Sequence, residues 1–221
     1  MRIIFCTILL ILSSQITLFG APNSPDYWAR YYETKSKESP SADLKVIHWL
    51  SLQGLENPLA IDLGCGNGVD TRGLFWDGWR VLAIDSSPLG INILNTRKDI
   101  TAAQREKLTT QCVSFEKMRL SPSYFINAQF SLSFCAPGHF GNVWNKIVTS
   151  LQSRGIFFGD FLGNKDSWSV NKKMTFHSRE QVELLFKDFI IVKLFEEDKK
   201  GKTTSGRPKH WHVFTVLAWK K

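Results

Sequence analysis

Three glycines at alternate positions, Gly64, Gly66 and Gly68, follow directly on the apolar run Leu59–Leu63, which only Asp62 interrupts. A run of that length reads as a buried strand, and the glycines read as a tight turn at its end. Glycine accepts positive φ without a Cβ clash and lets a ligand approach bare backbone. Val69 to Asp77 reads as a helix, which would set the turn's amides at a helix N-terminus, where partial positive charge collects. Arg80 to Asp85 reads as a second strand ending in a carboxylate. An acid at that tip of a β-α-β unit lies beside the glycine turn, within reach of both hydroxyls of a ribose.

The dinucleotide fingerprint spaces its glycines G-x-G-x-x-G, whereas here the spacing is G-x-G-x-G with Asp62 ahead of it, which argues against NAD. Asp62-Leu-Gly-Cys-Gly-Asn-Gly68 with Asp85 downstream resembles the first two motifs of the class I S-adenosylmethionine-dependent methyltransferases. The resemblance covers roughly residues 24 to 221 and is carried by those two motifs. It implies an α/β fold, a Rossmann-like seven-stranded, mostly parallel sheet with helices on both faces and a C-terminal antiparallel strand pair. It also implies S-adenosylmethionine as cofactor, with Asp62, Gly64, Cys65, Gly66, Gly68, Asp85 and Ser86 around it. Within the superfamily, length and the lack of an added recognition domain look most like small single-domain enzymes of the tellurite-resistance or thiopurine type.

With 221 residues, 43% hydrophobic and 22% charged, the chain is most simply one domain with one good core. The formal charge of +8 favours acidic partners, yet Lys199, Lys200, Lys202, Arg207 and Lys209 lie in one glycine-containing segment. A solvated loop accounts for such a segment better than nucleic-acid binding does. Cys6, Cys65, Cys112 and Cys135 show no C-x-x-C pair or His-spaced cluster, so no metal is expected, and they read as small buried core residues.

Met1 to Ala21 reads as a secretory signal: Arg2, an apolar run from Ile3 to Leu12, then small residues at Gly20-Ala21. An uncleaved anchor and a mis-assigned start are the alternatives, and cytoplasmic localisation is the alternative to export. Any membrane contact is expected through these residues alone. Residues 22–57 read as an N-terminal helical segment over the cofactor site and 58–221 as the methyltransferase domain. In the first of these, Tyr27, Trp28, Arg30, Tyr31 and Tyr32 either cap the site or lie over the sheet edge, and Ser41 caps a helix from Asp43 to Leu52.

Downstream, Ser86-Ser-Pro88 opens a helix to about Asn95, Lys98 to Lys107 is helical in part, and Thr109 to Phe115 is a third strand ending at Glu116. By position Glu116 fits the residue that meets the adenine amino group in this superfamily, with a solvated loop glutamate as the alternative. Phe125 to Phe134 holds the fourth strand and the loop leaving it. Ligands of open α/β sheets bind off such carboxyl ends, so Asn127, Gln129 and Phe134 are candidates for binding the acceptor. Superfamily members commonly carry an acid in this region; its absence here leaves no obvious carboxylate base, and Asn127 and His177 stand as weak catalytic candidates. His139 to Ser153 has helical spacing closed by Gly155, and Gly155 to Leu162 is the fifth strand. Gly163 to Phe176 is placed over the active site, with Trp168 a further candidate for binding the acceptor, and Ser178 to Gln181 is a capping box for a helix through Phe186. Phe189 to Phe195 and Trp211 to Trp219 form two strands joined by a basic connector, with His210 and His212 on one face.

The expected function is methyl transfer to a small-molecule acceptor at an N, O, S or metalloid centre by in-line displacement. The alternative is an exported, catalytically silent binding protein of the same fold. Nucleic-acid or protein methylation is less favoured, since Ser131-Leu-Ser-Phe134 lacks the prolines of the amino-methylating DNA enzymes.

Overall fold

The structure, a computed structural model, describes residues 25–35, 40, 54–75 and 79–221. The expected signal segment and the helix from Asp43 to Leu52 lie outside them. Helix α1 (Pro25–Lys35) precedes β1 (Leu59–Leu63), a single 3-10 turn (Thr71–Leu74) and β2 (Arg80–Asp85). Then come α2 (Pro88–Thr96), α3 (Ala102–Glu106), β3 (Leu108–Cys112), β4 (Ser123–Ala128) and α4 (Pro137–Ser150). The chain ends with β5 (Leu151–Leu162), α5 (Arg179–Leu185), β6 (Phe189–Lys202) and β7 (Pro208–Lys220).

The seven strands form one sheet in the order β3-β2-β1-β4-β5-β7-β6. The first five are parallel, and β7 runs antiparallel between β5 and β6. Strand periodicity divides the core between the two faces. Ile61, Ile126, Phe157 and Phe161 pack with α4 residues Phe140, Val143, Trp144 and Ile147. Ala60, Phe125, Ile156 and Phe158 pack on the other side with Leu74 and Trp79. Burial of both faces explains why the parallel strands read as continuous apolar runs. The strand order reverses direction between β1 and β4, and an open α/β sheet has its natural crevice at such a point.

Four segments differ from the sequence reading. The helix expected over Val69 to Asp77 is a single 3-10 turn within the described residues, ending at Phe75 (φ −82°, ψ 68°). Thr71 is drawn inward, its hydroxyl donating to Asp62 at 2.6 Å, so this segment serves the site rather than extending a helix. The third strand stops at Cys112 because Gln111 turns its amide onto Arg119, donating to its carbonyl (2.7 Å) and accepting from its N–H (3.1 Å). Helix α4 ends at Ser150, whose hydroxyl bonds back to the Ile147 carbonyl at 2.9 Å. Gly155 closes nothing: it lies inside β5, next to Arg154 at φ 63°, where the β4–β5 register shifts.

The C-terminal hairpin is the largest difference. Its strands continue through the expected basic connector, leaving a turn at 203–207 with Gly206 at φ 80°. The charged residues that read as loop are cross-strand partners: His212 meets Glu196 at 3.0 Å and His210 meets Asp198 at 2.5 Å. Lys165 adds a second contact to Asp198 at 2.9 Å, and His210 first and Lys165 second hold that carboxyl down at about 2. Cysteine burial also differs, since Cys65 and Cys135 are buried but Cys112 is exposed. The capping box forms as read, with Ser178 accepting from Gln181 N–H and Gln181 accepting in return. Among the described residues, no helix is long and apolar enough to cross a membrane.

Candidate cofactor and acceptor site

Off the carboxyl ends of β1, β2 and β4 opens a cleft of about 930 Å³, within the range of small-ligand sites. Its floor is the glycine turn. Gly64 and Cys65 both donate to the Ile84 carbonyl, at 2.8 and 3.0 Å, which pins the turn to the end of β2. Gly64 lies at φ 75°, and a Cβ there would stand 2.3 Å from the Ser131 Cβ. Gly64→Ala should therefore lower unfolding stability by about 2 kcal/mol from left-handed strain and overpacking. Chemical denaturation checks this, and an unchanged midpoint would show that the turn is looser than drawn.

Asp85 stands at the tip of β2. One carboxyl oxygen accepts from Gly66 N–H at 2.9 Å and the other from Ser87 N–H at 2.7 Å. Burial raises its pKa, while these two amides oppose the shift. The Tyr32 hydroxyl and the Ser86 N–H also act on this carboxyl, so both oxygens are held in place at the strand tip.

Asp62 lies deeper and is 2% exposed. Thr71 donates to one of its oxygens and Asn127 to the other, the latter at 2.9 Å. Burial and the neighbouring Asp70 charge push its pKa up to about 7. Gln129 extends the network, donating to the Asn127 carbonyl oxygen at 3.1 Å and to Asp70 at 3.3 Å. Glu116 lines the far side, and hydrogen bonding from Ser114 keeps its carboxyl low.

Helix α1 closes the cleft from above. The Tyr32 carbonyl accepts from Asn67 Nδ2 at 3.0 Å, and the Tyr32 ring covers Gly66, where a Cβ would come within 2.8 Å of it. Trp28, Ala29, Tyr31 and Tyr32 of this helix line the cleft. Trp28 packs edge-on against Phe134 with centroids 4.9 Å apart.

Of the residues expected from sequence, Asp62, Gly64, Cys65, Gly66, Asp85, Ser86, Glu116, Asn127, Gln129 and Phe134 line the cleft. Gly68 stands just outside, packed on Leu94. Trp168 lies behind Phe134, with centroids 6.3 Å apart. His177 is outside the cleft, between Phe140 and Phe161, and burial lowers its pKa to about 4. Burial raises the thiols of Cys65 and Cys135, the latter to about 12, which leaves neither as a ready nucleophile. Among the described residues, no group of three metal-ligating side chains occurs.

The sequence reading placed Phe130 and Ser131 only within a loop, Phe130 to Pro137, where an acceptor would sit, and did not single out Asn67, Asp70 or Ser87; all five are in the lining. Asn67 and Asp70 belong to the glycine stretch itself and were legible there. Phe130 adopts a left-handed φ of 46°, which nothing in its own residue type signals.

The residues present suit a ligand with an adenosyl and amino-acid character. The turn admits a close approach, and Asp85 offers two aimed acceptors. The Ser131 hydroxyl is buried and has no hydrogen-bond partner, although buried hydroxyls are normally satisfied.

No protein-family model and no curated protein matches the chain. Solved structures do match. TehB from Haemophilus influenzae superposes with a TM-score of 0.66 at 16% identity, covering 89% of this chain and 67% of that one. Magnesium protoporphyrin IX methyltransferase (ChlM) from Synechocystis PCC 6803, with bound SAH, gives 0.62 at 12% identity over 88% and 94%. A SAM-dependent methyltransferase from Methanosarcina mazei gives 0.59 at 14% identity over 83% and 99%. Strand order, the antiparallel β7 and these superpositions agree: the chain has the fold of the class I S-adenosylmethionine-dependent methyltransferases.

Proposed function

We propose that the chain binds S-adenosylmethionine and transfers its methyl group to a small-molecule acceptor. The observation that carries this reading is Asp85, held by Gly66 and Ser87 N–H groups at the tip of β2 over the glycine turn. In this division residues 22–57 contribute the cover, through α1, and 58–221 the sheet and turn.

When bound, the cofactor supplies a methyl group already activated by a positive sulfur, so the protein's task is alignment and exclusion of water. Asp85 holds the ribose hydroxyls, and Glu116, kept ionised, accepts from the adenine amino group. Gly64 and Gly66 admit the ligand to bare backbone, and Asp62 orders the turn and receives the amino end. Asn127 and Gln129 present uncharged amides beyond the reacting centre, where they orient an acceptor without trapping it as an ion pair. Tyr32 and Trp28 shut the cleft from solvent. Support for a small acceptor comes from the size of the cleft.

Isothermal titration of the full-length protein with S-adenosylmethionine and S-adenosylhomocysteine tests the reading. Micromolar binding is expected, and Asp85→Ala should weaken it by about 1–3 kcal/mol through lost hydrogen bonds to a charged group. Unchanged affinity in that variant would remove Asp85 from the site, and absence of binding would defeat the proposal.

A further inference from the structure

The C-terminal hairpin ends in a stretch of one sign of charge that the cofactor site does not use. From Lys199 to Trp211 the sequence holds Lys199, Lys200, Lys202, Arg207 and Lys209 and no acid. Lys209 is buried against Asp166, whereas the other four are exposed around the turn at 203–207. The acids just before the tip already have partners. Glu197 pairs with Lys199 at 2.6 Å, and Asp198 with His210 at 2.5 Å and Lys165 at 2.9 Å. Positive charge is therefore in surplus at the end of β6 and β7.

Apolar surface lies beside this charge. The Trp211 indole donates to the Lys202 carbonyl at 3.3 Å, and its ring packs on Trp168 with centroids 5.7 Å apart. Trp168 belongs to the 3-10 turn Ser167–Val170, whose last residue is 81% exposed, and the exposed Lys172 and Lys173 follow in the same loop. Phe130, 54% exposed at the cleft, meets Trp211 at 6.1 Å. The tip, this loop and the cleft mouth thus adjoin one another.

The chain also arrives here from its N-terminal side. Tyr27, in the first turn of α1, packs on Trp168 at 6.3 Å and lies close enough to Arg207 to feel its charge. Residues 1–24 therefore join the described fold beside the basic tip, and they include the apolar run Ile3 to Leu12.

We propose that the hairpin tip, with the adjoining loop at Val170, docks on an anionic phospholipid surface and holds the cleft mouth against it. Basic residues close to an anionic bilayer each strengthen binding, and firm attachment takes two signals, one apolar and one polybasic. The run Ile3 to Leu12 supplies the first and the tip the second. A polynucleotide would share the phosphate attraction, but it gives Val170 and that run no apolar partner. Docking of this kind is independent of what the cleft binds.

The test mixes full-length protein with sucrose-loaded vesicles of phosphatidylcholine alone or with about 30% phosphatidylserine, in about 0.1 M salt, and reads the bound fraction after sedimentation. Wild type should prefer the phosphatidylserine vesicles by at least about twentyfold, at roughly fivefold per basic residue near the surface. Lys200→Gln with Lys202→Gln should cut that preference about tenfold or more. Melting temperature and S-adenosylhomocysteine affinity should stay at wild-type values, because both side chains are exposed and neither lines the cleft. Raising the salt to about 0.5 M should erode the wild-type preference as well, which keeps the proposal open to refutation if the variant fails to fold. Equal binding to the two vesicles, or a preference untouched by both the substitutions and salt, would overturn it. Displacement from the vesicles by an equal charge of double-stranded DNA would overturn it too, and would assign the tip to nucleic acid.

Discussion

Asp166→Ala should lower the unfolding free energy by about 3–5 kcal/mol, because it leaves a buried ammonium without its counter-charge. Asp166 and Lys209 form an ion pair whose side chains are 0% and 1% exposed. Asp166 also accepts from Trp168 N–H at 2.9 Å and from His212 N–H at 3.2 Å. The Lys209 ammonium lies 4.1 Å from the ring centroids of both Trp168 and Trp211. The pair thus pins the loop after β5 onto β7 and fixes the two indoles behind Phe130 and Phe134.

Lys209→Met keeps the stem's bulk and leaves Asp166 with two backbone donors, so it should cost less. Asp166→Asn with Lys209→Met should recover most of the loss, since no unpaired charge remains. Burial lowers the Lys209 pKa even with Asp166 present, and removing Asp166 lowers it further. In Asp166→Ala the unfolded chain then binds more protons than the folded one below the ordinary lysine range, so stability rises with pH. Urea midpoints at pH 6 and pH 9 read both effects. A loss below about 1 kcal/mol at pH 6 would mean that the pair is solvated, as for a surface salt bridge.

What the sequence disclosed and what it hid follow a physical division. β1, β2 and the Asp62-to-Asp85 motif were legible because one local signal stacks on another: an apolar run, a glycine turn and a terminal acid. The β5–β7–β6 order came through the resemblance, with no local pattern specifying it. The basic hairpin was misread because Glu196, Asp198, His210 and Lys209 look solvated in isolation, whereas the first three pair across the hairpin itself and Lys209 pairs with Asp166 in the loop after β5. Phe134 and Trp168 were read as site residues from the sequence, but the packing of Phe130 on Trp211 was not legible there. Phe130 and Trp211 are 81 positions apart in sequence, and only the closure of β7 against β5 brings their rings together. His177 read as a weak candidate for a base, with a loop histidine of no catalytic role favoured, and the structure encloses it between Phe140 and Phe161.

Ligand affinity should rise with pH through about 7, and Asp62→Asn should abolish that rise. The Asp62 carboxyl is raised to about 7 by burial first and by the Asp70 charge second, against the lowering effect of Thr71 and Asn127. Below that pH it is protonated in the free protein, and the proposed amino end of S-adenosylmethionine then meets a neutral group. Binding that requires the carboxylate should weaken by up to about tenfold per pH unit below 7.

Stability of the ligand-free protein should run the other way. Between the ordinary aspartate range and 7 the folded chain holds a proton that the unfolded chain has lost, so stability falls as pH rises across that window, by up to about 1.4 kcal/mol per unit. Asn at this position can keep both contacts, accepting from Asn127 and donating to the Thr71 hydroxyl, with no titration. Comparing wild type with Asp62→Asn removes the background of other groups, including Asp99, whose carboxyl Arg97 and Arg72 hold low. Titrations at pH 6, 7 and 8 and denaturation at pH 5 and 8 supply the two readouts. Parallel profiles for the two proteins would show that Asp62 is ionised throughout, and the amino end of the ligand would then have to be held elsewhere in the cleft.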